Sequence, residues 1–318
     1  MVTGRPLRVV FFGTPGFAVP TLEALLQSSH AVVGVVTQPD RPRGRGHRVS
    51  DAPVKIRSLE AGIPLLQPVS LKPPEFLAEL ASFDADLGVV AAYGRILTDA
   101  VLAVPRLGMI NVHASLLPRY RGAAPVHRAV IAGDRETGVT IMRVVKALDA
   151  GPMMATVQRQ IDADETSVDV ERDLARLGAG LLVDVVNSLA AGGAAEIPQD
   201  DADATYAPRL TKEDSPLDWS KAASDLHNQI RGLHPWPHAE TLLHGKRLIV
   251  LRSAVVDESS SAPHGTVVSA RGDQFDVATG NRLLRILELQ AEGKKPMRAR
   301  DFLAGHAVPQ GARLSATP

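Results

Sequence analysis

The sequence predicts an α/β protein: a doubly wound, mostly parallel sheet followed by a small C-terminal β-barrel. Three observations carry this. Short apolar, β-branched runs alternate with stretches of helical spacing over residues 7–190, the pattern of β-α units whose helices cover both faces of a sheet. The first of these runs passes through the turn Gly13-Thr-Pro-Gly16 into a helix. From His234-Pro-Trp-Pro237 onward the apolar period becomes two and turn residues are closely spaced, as in a barrel of short strands. A length of 318 residues suits two domains, expected at 1–206 and 207–318 with a polar connection at about 195–212.

Taken in order, residues 7–12 read as a strand, 17–27 as a helix and 31–37 as a second buried strand. The helix start offers free N–H groups to an anion. The turn before it is Gly-X-X-Gly, without the Gly-X-Gly-X-X-Gly spacing of dinucleotide sites, and no acidic residue ends the second strand to hold a ribose. No nicotinamide cofactor is therefore expected. Residues 38–48 place Arg41, Arg43, Arg45 and Arg48 among prolines and glycines, which reads as an exposed basic loop, either solvated or poised to meet phosphates. Helices are expected at 50–61 and 72–81, flanking an extended piece at 64–68. Residues 85–93 then form a buried central strand that runs into the loop 94–98. Ligands of open α/β sheets sit outside the carboxyl ends of the strands, so this loop should share a crevice with the next one.

That next strand ends in Asn111-Val-His113 and passes at once into the loop Ser115-Leu-Leu-Pro-Arg-Tyr-Arg-Gly122. Residues two apart on a strand project to the same side, so an amide and an imidazole leave it together. Aimed at one point they stabilise a developing oxyanion, and the imidazole can also move a proton. The plainer reading makes Asn111 a turn cap and His113 a satisfied core residue. Residues 123–133 read as a helix and 138–145 as a strand, followed by a Gly/Pro-bounded loop with Asp149 at the strand's carboxyl end. There it either serves His113 or simply forms the turn. A strand at 155–161 and a long helix at 168–190 complete this half, and 212–232 is expected as one more helix. Strands at 248–256, 265–269, 275–278 and 283–289 build the barrel. Its Lys246, Arg247, Arg252, Lys294, Lys295, Arg298 and Arg300 are either a solvated face or a nucleic-acid surface.

Composition narrows the class further. The chain is 45% hydrophobic and 22% charged, with 35 basic and 35 acidic residues, and it has no cysteine. A disulfide framework, a Cys-ligated zinc and a cysteine nucleophile are excluded. Residues 1–206 carry 20 basic and 23 acidic residues and residues 207–318 carry 15 and 12, a mild bias of the second half toward an anionic partner. There is no signal-peptide pattern, and no apolar run reaches the ~18 residues of a membrane span. A cytoplasmic protein with no membrane partner is expected.

Specific motifs add a resemblance. They are Phe12-Gly-Thr-Pro-Gly-Phe, Gln38-Pro-Asp-Arg-Pro, Ala92-Tyr-Gly, Asn111-Val-His, Ser115-Leu-Leu-Pro-Arg-Tyr-Arg-Gly-Ala-Ala-Pro125, Glu136-Thr-Gly-Val-Thr-Ile-Met142, Leu148-Asp-Ala-Gly-Pro-Met153, Gly293-Lys-Lys-Pro-Met and Asp301-Phe-Leu. With them the chain resembles the methionyl-tRNA formyltransferase family over residues 7–306. The Asn, His, Ser-Leu-Leu-Pro and later Asp are shared by folate-dependent formyltransferases generally. Length, the basic loop and the C-terminal β domain point to tRNA.

The resemblance implies a Rossmann-like catalytic domain and an OB-like barrel. N10-formyltetrahydrofolate is implied as co-substrate, with no metal and no nicotinamide, and initiator Met-tRNA as acceptor for a monomeric enzyme. It implies Asn111, His113 and Asp149 as catalytic residues. Ser115, Leu116, Leu117 and Pro118, with Tyr93, Gly94, Ile96 and Leu97, are implied for folate. Arg41, Arg43, Arg45 and Arg48, with Lys212, Lys246, Lys294 and Lys295, are implied for tRNA. The chain departs from the family at Ala114, commonly glycine, and at Ala150, commonly threonine. The alternatives are a formyltransferase for a small amine and a catalytically silent nucleic-acid-binding protein.

Overall fold

The strand β1 (Arg8–Gly13) is apolar and buried from Val9 onward, as a strand covered on both faces must be. In a computed structural model that describes residues 5–40, 42–43, 48–49 and 51–316, it is an interior strand of a seven-stranded sheet, between the strands Leu87–Ala91 and Ala31–Val36. After it come α1 (Val19–Gln27), β2 (Ala31–Val36), the two-residue pair β3 (Pro42–Arg43) and β4 (Arg48–Val49), α2 (Pro53–Glu60), β5 (Leu65–Leu66) and α3 (Pro74–Ser82). The chain continues through β6 (Leu87–Ala91), α4 (Asp99–Leu102), β7 (Met109–His113), β8 (Arg121–Gly122), α5 (Pro125–Ala132), β9 (Glu136–Arg143), β10 (Met153–Gln160), α6 (Ser167–Ala190) and β11 (Tyr206–Ala207).

The sheet order is β10-β9-β7-β6-β1-β2-β5. The pairs β1-β2, β2-β5, β1-β6 and β6-β7 are parallel, and β9 runs antiparallel to β7. The chain winds outward from β1 through β2 to β5 and then returns to β6 on the other side, so the order reverses at β1. That is where a doubly wound sheet opens a crevice at the carboxyl ends. Proline sets three helix starts, with Pro20, Pro53 and Pro74 in the first turns of α1, α2 and α3. A missing N–H costs nothing there, whereas the residue before a proline resists the helical region. This is why α2 and α3 begin two to three residues later than the spacing alone suggested.

Beneath the sheet Val10, Phe12, Val36, Leu80, Tyr93, Val101 and Met109 form one packed cluster. On the other face α6 lies against β7 and β9. A Cβ on Gly178 would come within 2.9 Å of Val112 Cγ1 and 3.1 Å of Val139 Cγ1. Val112 thus faces the helix, and its neighbours Asn111 and His113 face away from it.

The chain divides into two compact units, residues 1–125, 137–159 and 171–207, and residues 126–136, 160–170 and 208–318. The second contains α7 (Ala223–Gly232), β12 (Ala239–Leu243), β13 (Lys246–Val256), β14 (Val267–Arg271), β15 (Gln274–Ala278), β16 (Leu283–Ala291), β17 (Met297–Arg298), α8 (Ala299–Gly305) and β18 (Leu314–Ser315). Its sheet runs β14-β15-β16-β13-β12-β18 and curls back on itself. The segments before β14 and before β18 meet in a bridge between Thr266 and Arg313, with Val267 N donating to Ala312 O at 2.8 Å and Leu314 N to Gly265 O at 2.8 Å. Strand β12 was not expected from its Ala-Glu-Thr-Leu-Leu sequence. It forms as half of a hairpin whose two turn residues, His244 and Gly245, have φ of 51° and 73°.

The single helix expected over 212–232 is corrected. Lys212–Asp214 is a short 3₁₀ turn, and α7 begins only at Ala223. Pro216 cannot donate within a helix, and the chain around it pairs with an edge instead: Leu217 N donates to Glu240 O at 2.9 Å and Glu240 N to Ser215 O at 2.8 Å. Among the described residues no helix is long and apolar enough to cross a membrane.

Filling the contact at Gly178 tests the packing of α6. Gly178→Val is expected to cost about 1–3 kcal/mol through overpacking against Val112 and Val139. A urea midpoint equal to wild type would contradict the placement.

Candidate active site

Strand β7 delivers Asn111 and His113 to the carboxyl end of the sheet, in unbroken register with Met142 and Thr140 of β9. The Asn111 amide is half-buried and makes no hydrogen bond to another described residue, so its N–H groups remain available. His113 is only 5% exposed and both ring nitrogens are accounted for. Nε2 lies 3.0 Å from the carbonyl oxygen of Tyr120. A carbonyl only accepts, so Nε2 carries the hydrogen there. Nδ1 faces Asp149 Oδ2 at 3.7 Å, too far for a direct hydrogen bond. It is therefore the nitrogen through which a proton can come and go.

Asp149 is aimed by its backbone. Its φ of +47° is left-handed, a conformation that Asp tolerates better than most residues, and Oδ2 accepts from Gly122 N at 2.8 Å. Two residues on, a Cβ on Gly151 would sit 2.0 Å from Arg143 O. Only glycine lets the loop press that closely on the end of β9.

The loop 115–122 is tied down in turn. Ser115 Oγ donates to Arg119 O at 2.6 Å; Thr140 Oγ1 donates to Ser115 O at 2.8 Å and accepts from Leu117 N at 3.1 Å. Leu116 lies over Gly138, where an added Cβ would come within 2.5 Å of Leu116 Cδ2 and 2.1 Å of Val157 O. Tyr120 has φ +61° in the turn that presents its carbonyl to His113.

The stretch read from sequence as a polar connection contributes most of what sequence reasoning missed. Gln199 Nε2 donates to Asp149 O and to Gly151 O, both at 2.8 Å, and its Oε1 accepts from Arg121 Nε at 3.0 Å. Arg121, 3% exposed, also pairs with Asp201 at 2.8 Å. Thr205 Oγ1 accepts from Tyr120 N at 2.9 Å, and β11 pairs in parallel with β8. The cue in the sequence is slight: one glutamine and a Tyr-Ala pair in an acidic run.

The residues expected around the co-substrate separate into two groups. Ile96 is 83% exposed, and Leu116 and Pro118 are half-buried. Ser115, Leu117 and Leu97 are buried. Tyr93 is 2% exposed, packed edge-on against Phe12 at 5.4 Å, with burial pushing its phenol above the ordinary range. What Tyr93 offers the loop is its carbonyl, which accepts from Gln38 Nε2 at 2.7 Å. Gly94 lies just beyond, where a Cβ would be 2.6 Å from that same nitrogen.

Of the basic loop, Arg41 and Arg45 lie outside the described residues, and the backbones of Arg43 and Arg48 are register partners in the β3-β4 pair. Its two roots, Asp40 and Asp51, both pair with Lys55, the latter at 2.7 Å. The Lys55 hydrogen bond holds the Asp40 carboxyl below its usual range, and Asp40 raises Lys55 in return. In the second unit Lys212, Lys246, Lys294 and Lys295 are exposed and form no ion pair among the described residues. Arg247, Arg282, Arg285 and Arg300 are paired with Glu240, Asp257, Asp276 and Asp273.

The chain is similar to known proteins over nearly its whole length. Residues 7–186 match the formyl transferase family model, and residues 209–307 match that of the formyl transferase C-terminal domain. A methionyl-tRNA formyltransferase of Methylococcus capsulatus is 48% identical over 308 residues, covering 97% of this chain and 99% of its own. That of Caldanaerobacter subterraneus is 45% identical, covering 97% and 100%. Among solved structures, the sugar 3N-formyl transferase WlaRD superposes with a TM-score of 0.66 at 16% identity, over 92% of this chain and 100% of that one. HypX of Aquifex aeolicus, in complex with tetrahydrofolic acid, gives 0.65 at 14%, over 94% of this chain and 47% of that one; this chain spans about half its length. Both likenesses are of fold. The sequence identity over the whole chain goes further: this protein belongs to the methionyl-tRNA formyltransferase family.

Proposed function

We propose that the protein transfers a formyl group from N10-formyltetrahydrofolate to the α-amino group of methionine on initiator tRNA. The observation that carries this reading is the convergence of Asn111, His113 and Asp149 at one end of the sheet, the His113 ring facing the Asp149 carboxylate at 3.7 Å. The names of the relatives and the tetrahydrofolic acid in the HypX complex support the acceptor and the folate. The uncommitted Asn111 amide and the exposed apolar Ile96 fit a formyl oxygen and a flat ring system.

In this reading the amine nitrogen bonds to the formyl carbon, and the carbonyl electron pair moves onto oxygen. Asn111 stabilises that negative oxygen, and His113 does so once Nδ1 has taken a proton, since its Nε2–H is already given to Tyr120 O; each such donor lowers the barrier by about 3–4 kcal/mol. Asp149 takes the ammonium proton, directly or through His113 Nδ1. As the carbon–nitrogen bond to the donor breaks, a proton returns to the leaving nitrogen. Ile96, Gly94, Leu116 and Pro118 form the folate wall, and Tyr93, Leu97, Ser115 and Leu117 set its shape from behind. Arg41, Arg43, Arg45 and Arg48 with Lys212, Lys246, Lys294 and Lys295 contact tRNA phosphates. Residues 1–206 are then the catalytic domain and 207–318 the tRNA-holding domain of a cytoplasmic monomer.

The test is single-turnover transfer of label from the formyl donor, with charged initiator tRNA, glycinamide ribonucleotide and an amino-sugar nucleotide offered in parallel. Label on the tRNA alone is expected; label on a small amine alone overturns the reading. His113→Ala should lower turnover about 100- to 1,000-fold, the usual effect of losing an oxyanion donor, with tRNA affinity nearly unchanged. Turnover near wild type would remove His113 from the mechanism. Replacing Lys294 and Lys295 together with alanine should weaken tRNA binding and flatten the log–log salt dependence by about 2, one unit per phosphate contact. An unchanged slope would place the tRNA elsewhere.

A further inference from the structure

We propose that Gln199 is a positioning residue for the transfer reaction, holding the Asp149 carboxylate at its station opposite His113. The proposal rests on the reading above and deepens it. Asp149 occupies a left-handed backbone conformation in a loop of small residues, Ala150, Gly151 and Pro152. Such a loop does not hold a strained residue by its own packing. What holds it is the Gln199 amide, whose two N–H bonds fall one on Asp149 O and one on Gly151 O, both at 2.8 Å.

The same side chain reaches the opposite loop. Gln199 Oε1 accepts from Arg121 Nε at 3.0 Å, and the residue after Arg121 is Gly122, whose N–H holds Asp149 Oδ2 at 2.8 Å. Gln199 therefore joins the segment carrying the carboxylate to the segment carrying the donor that aims it. All three of its bonds lie within one compact unit. Arg121 is buried and its guanidinium also pairs with Asp201, so the acceptor end of Gln199 is anchored.

Only a primary amide on a side chain of this length fits. Glutamate keeps the acceptor for Arg121 but has no N–H for the two carbonyls, and it brings a negative charge against them. Methionine matches the length and removes both functions without adding charge.

The experiment uses the full chain and two readouts. Gln199→Glu should lower kcat about 30-fold, within the ~100-fold that a misplacement near 1 Å costs, with KM for donor and tRNA changed less than about threefold. Gln199→Met should lower kcat about 10-fold with the same split. Without any substrate, the Gly122 amide should exchange with solvent about 10-fold faster in both variants, because its acceptor is no longer held. The Arg121 amide, bonded to Thr205 O, should keep its protection. A kcat within about twofold of wild type in both variants, or a Gly122 amide as protected as in wild type, overturns the proposal. If wild-type enzyme formylates a different amine, the proposed function fails, while Gly122 exchange still decides whether Gln199 holds Asp149.

Discussion

The site depends on one imidazole held at both ends. His113 gives its Nε2–H to the Tyr120 carbonyl and turns Nδ1 toward the Asp149 carboxylate. The first contact fixes the tautomer and the ring plane. The second leaves 3.7 Å between nitrogen and oxygen, wider than a hydrogen bond. A histidine free to rotate would offer either nitrogen to solvent. Clamped this way, it offers one nitrogen in one direction, beside an asparagine whose amide has no hydrogen-bond partner among the described residues.

Much of the local structure serves to keep that clamp in register. The Tyr120 carbonyl is presented by a loop laid on β9 through Thr140 and by Leu116 lying over Gly138. Asp149 is aimed by the Gly122 amide and by a loop that can touch β9 only because residue 151 has no side chain. The segment 199–207 ties these two loops together through Gln199, Thr205 and the short pairing of β11 with β8. Because buried polar groups are costly when left unpaired, this network stands or falls together.

The alternation of apolar runs and helical spacing was enough to place the parallel sheet and to bring Asn111 and His113 to the carboxyl end of β7, since those are consequences of period and connection. Strand β9 runs antiparallel to β7, so Asp149 reaches His113 through the loop that follows β9 and not from a parallel strand's carboxyl end. The change of period after Trp236 was enough for the C-terminal sheet. What escaped was decided by tertiary pairing. Pro216 sends its segment to the edge of β12 instead of into a helix, and β12 exists because a tight turn folds it onto β13. Local pattern carries no information about either. Gln199 and Arg121 were not singled out from the sequence, because a polar side chain that bonds from one loop to another has no periodic signature. Tyr93 shows what a loop motif leaves out: its ring fills the core, and its carbonyl accepts from Gln38 beside the loop.

The claim that His113 and Asp149 act as one unit is tested most directly by a double-mutant cycle in single-turnover transfer to charged initiator tRNA, comparing His113→Ala, Asp149→Ala and the pair. If Asp149 works through the clamped imidazole, the double variant is no slower than the slower single variant, because groups that act together are strongly non-additive. Losses that simply multiply would show two independent contributions and would contradict the account.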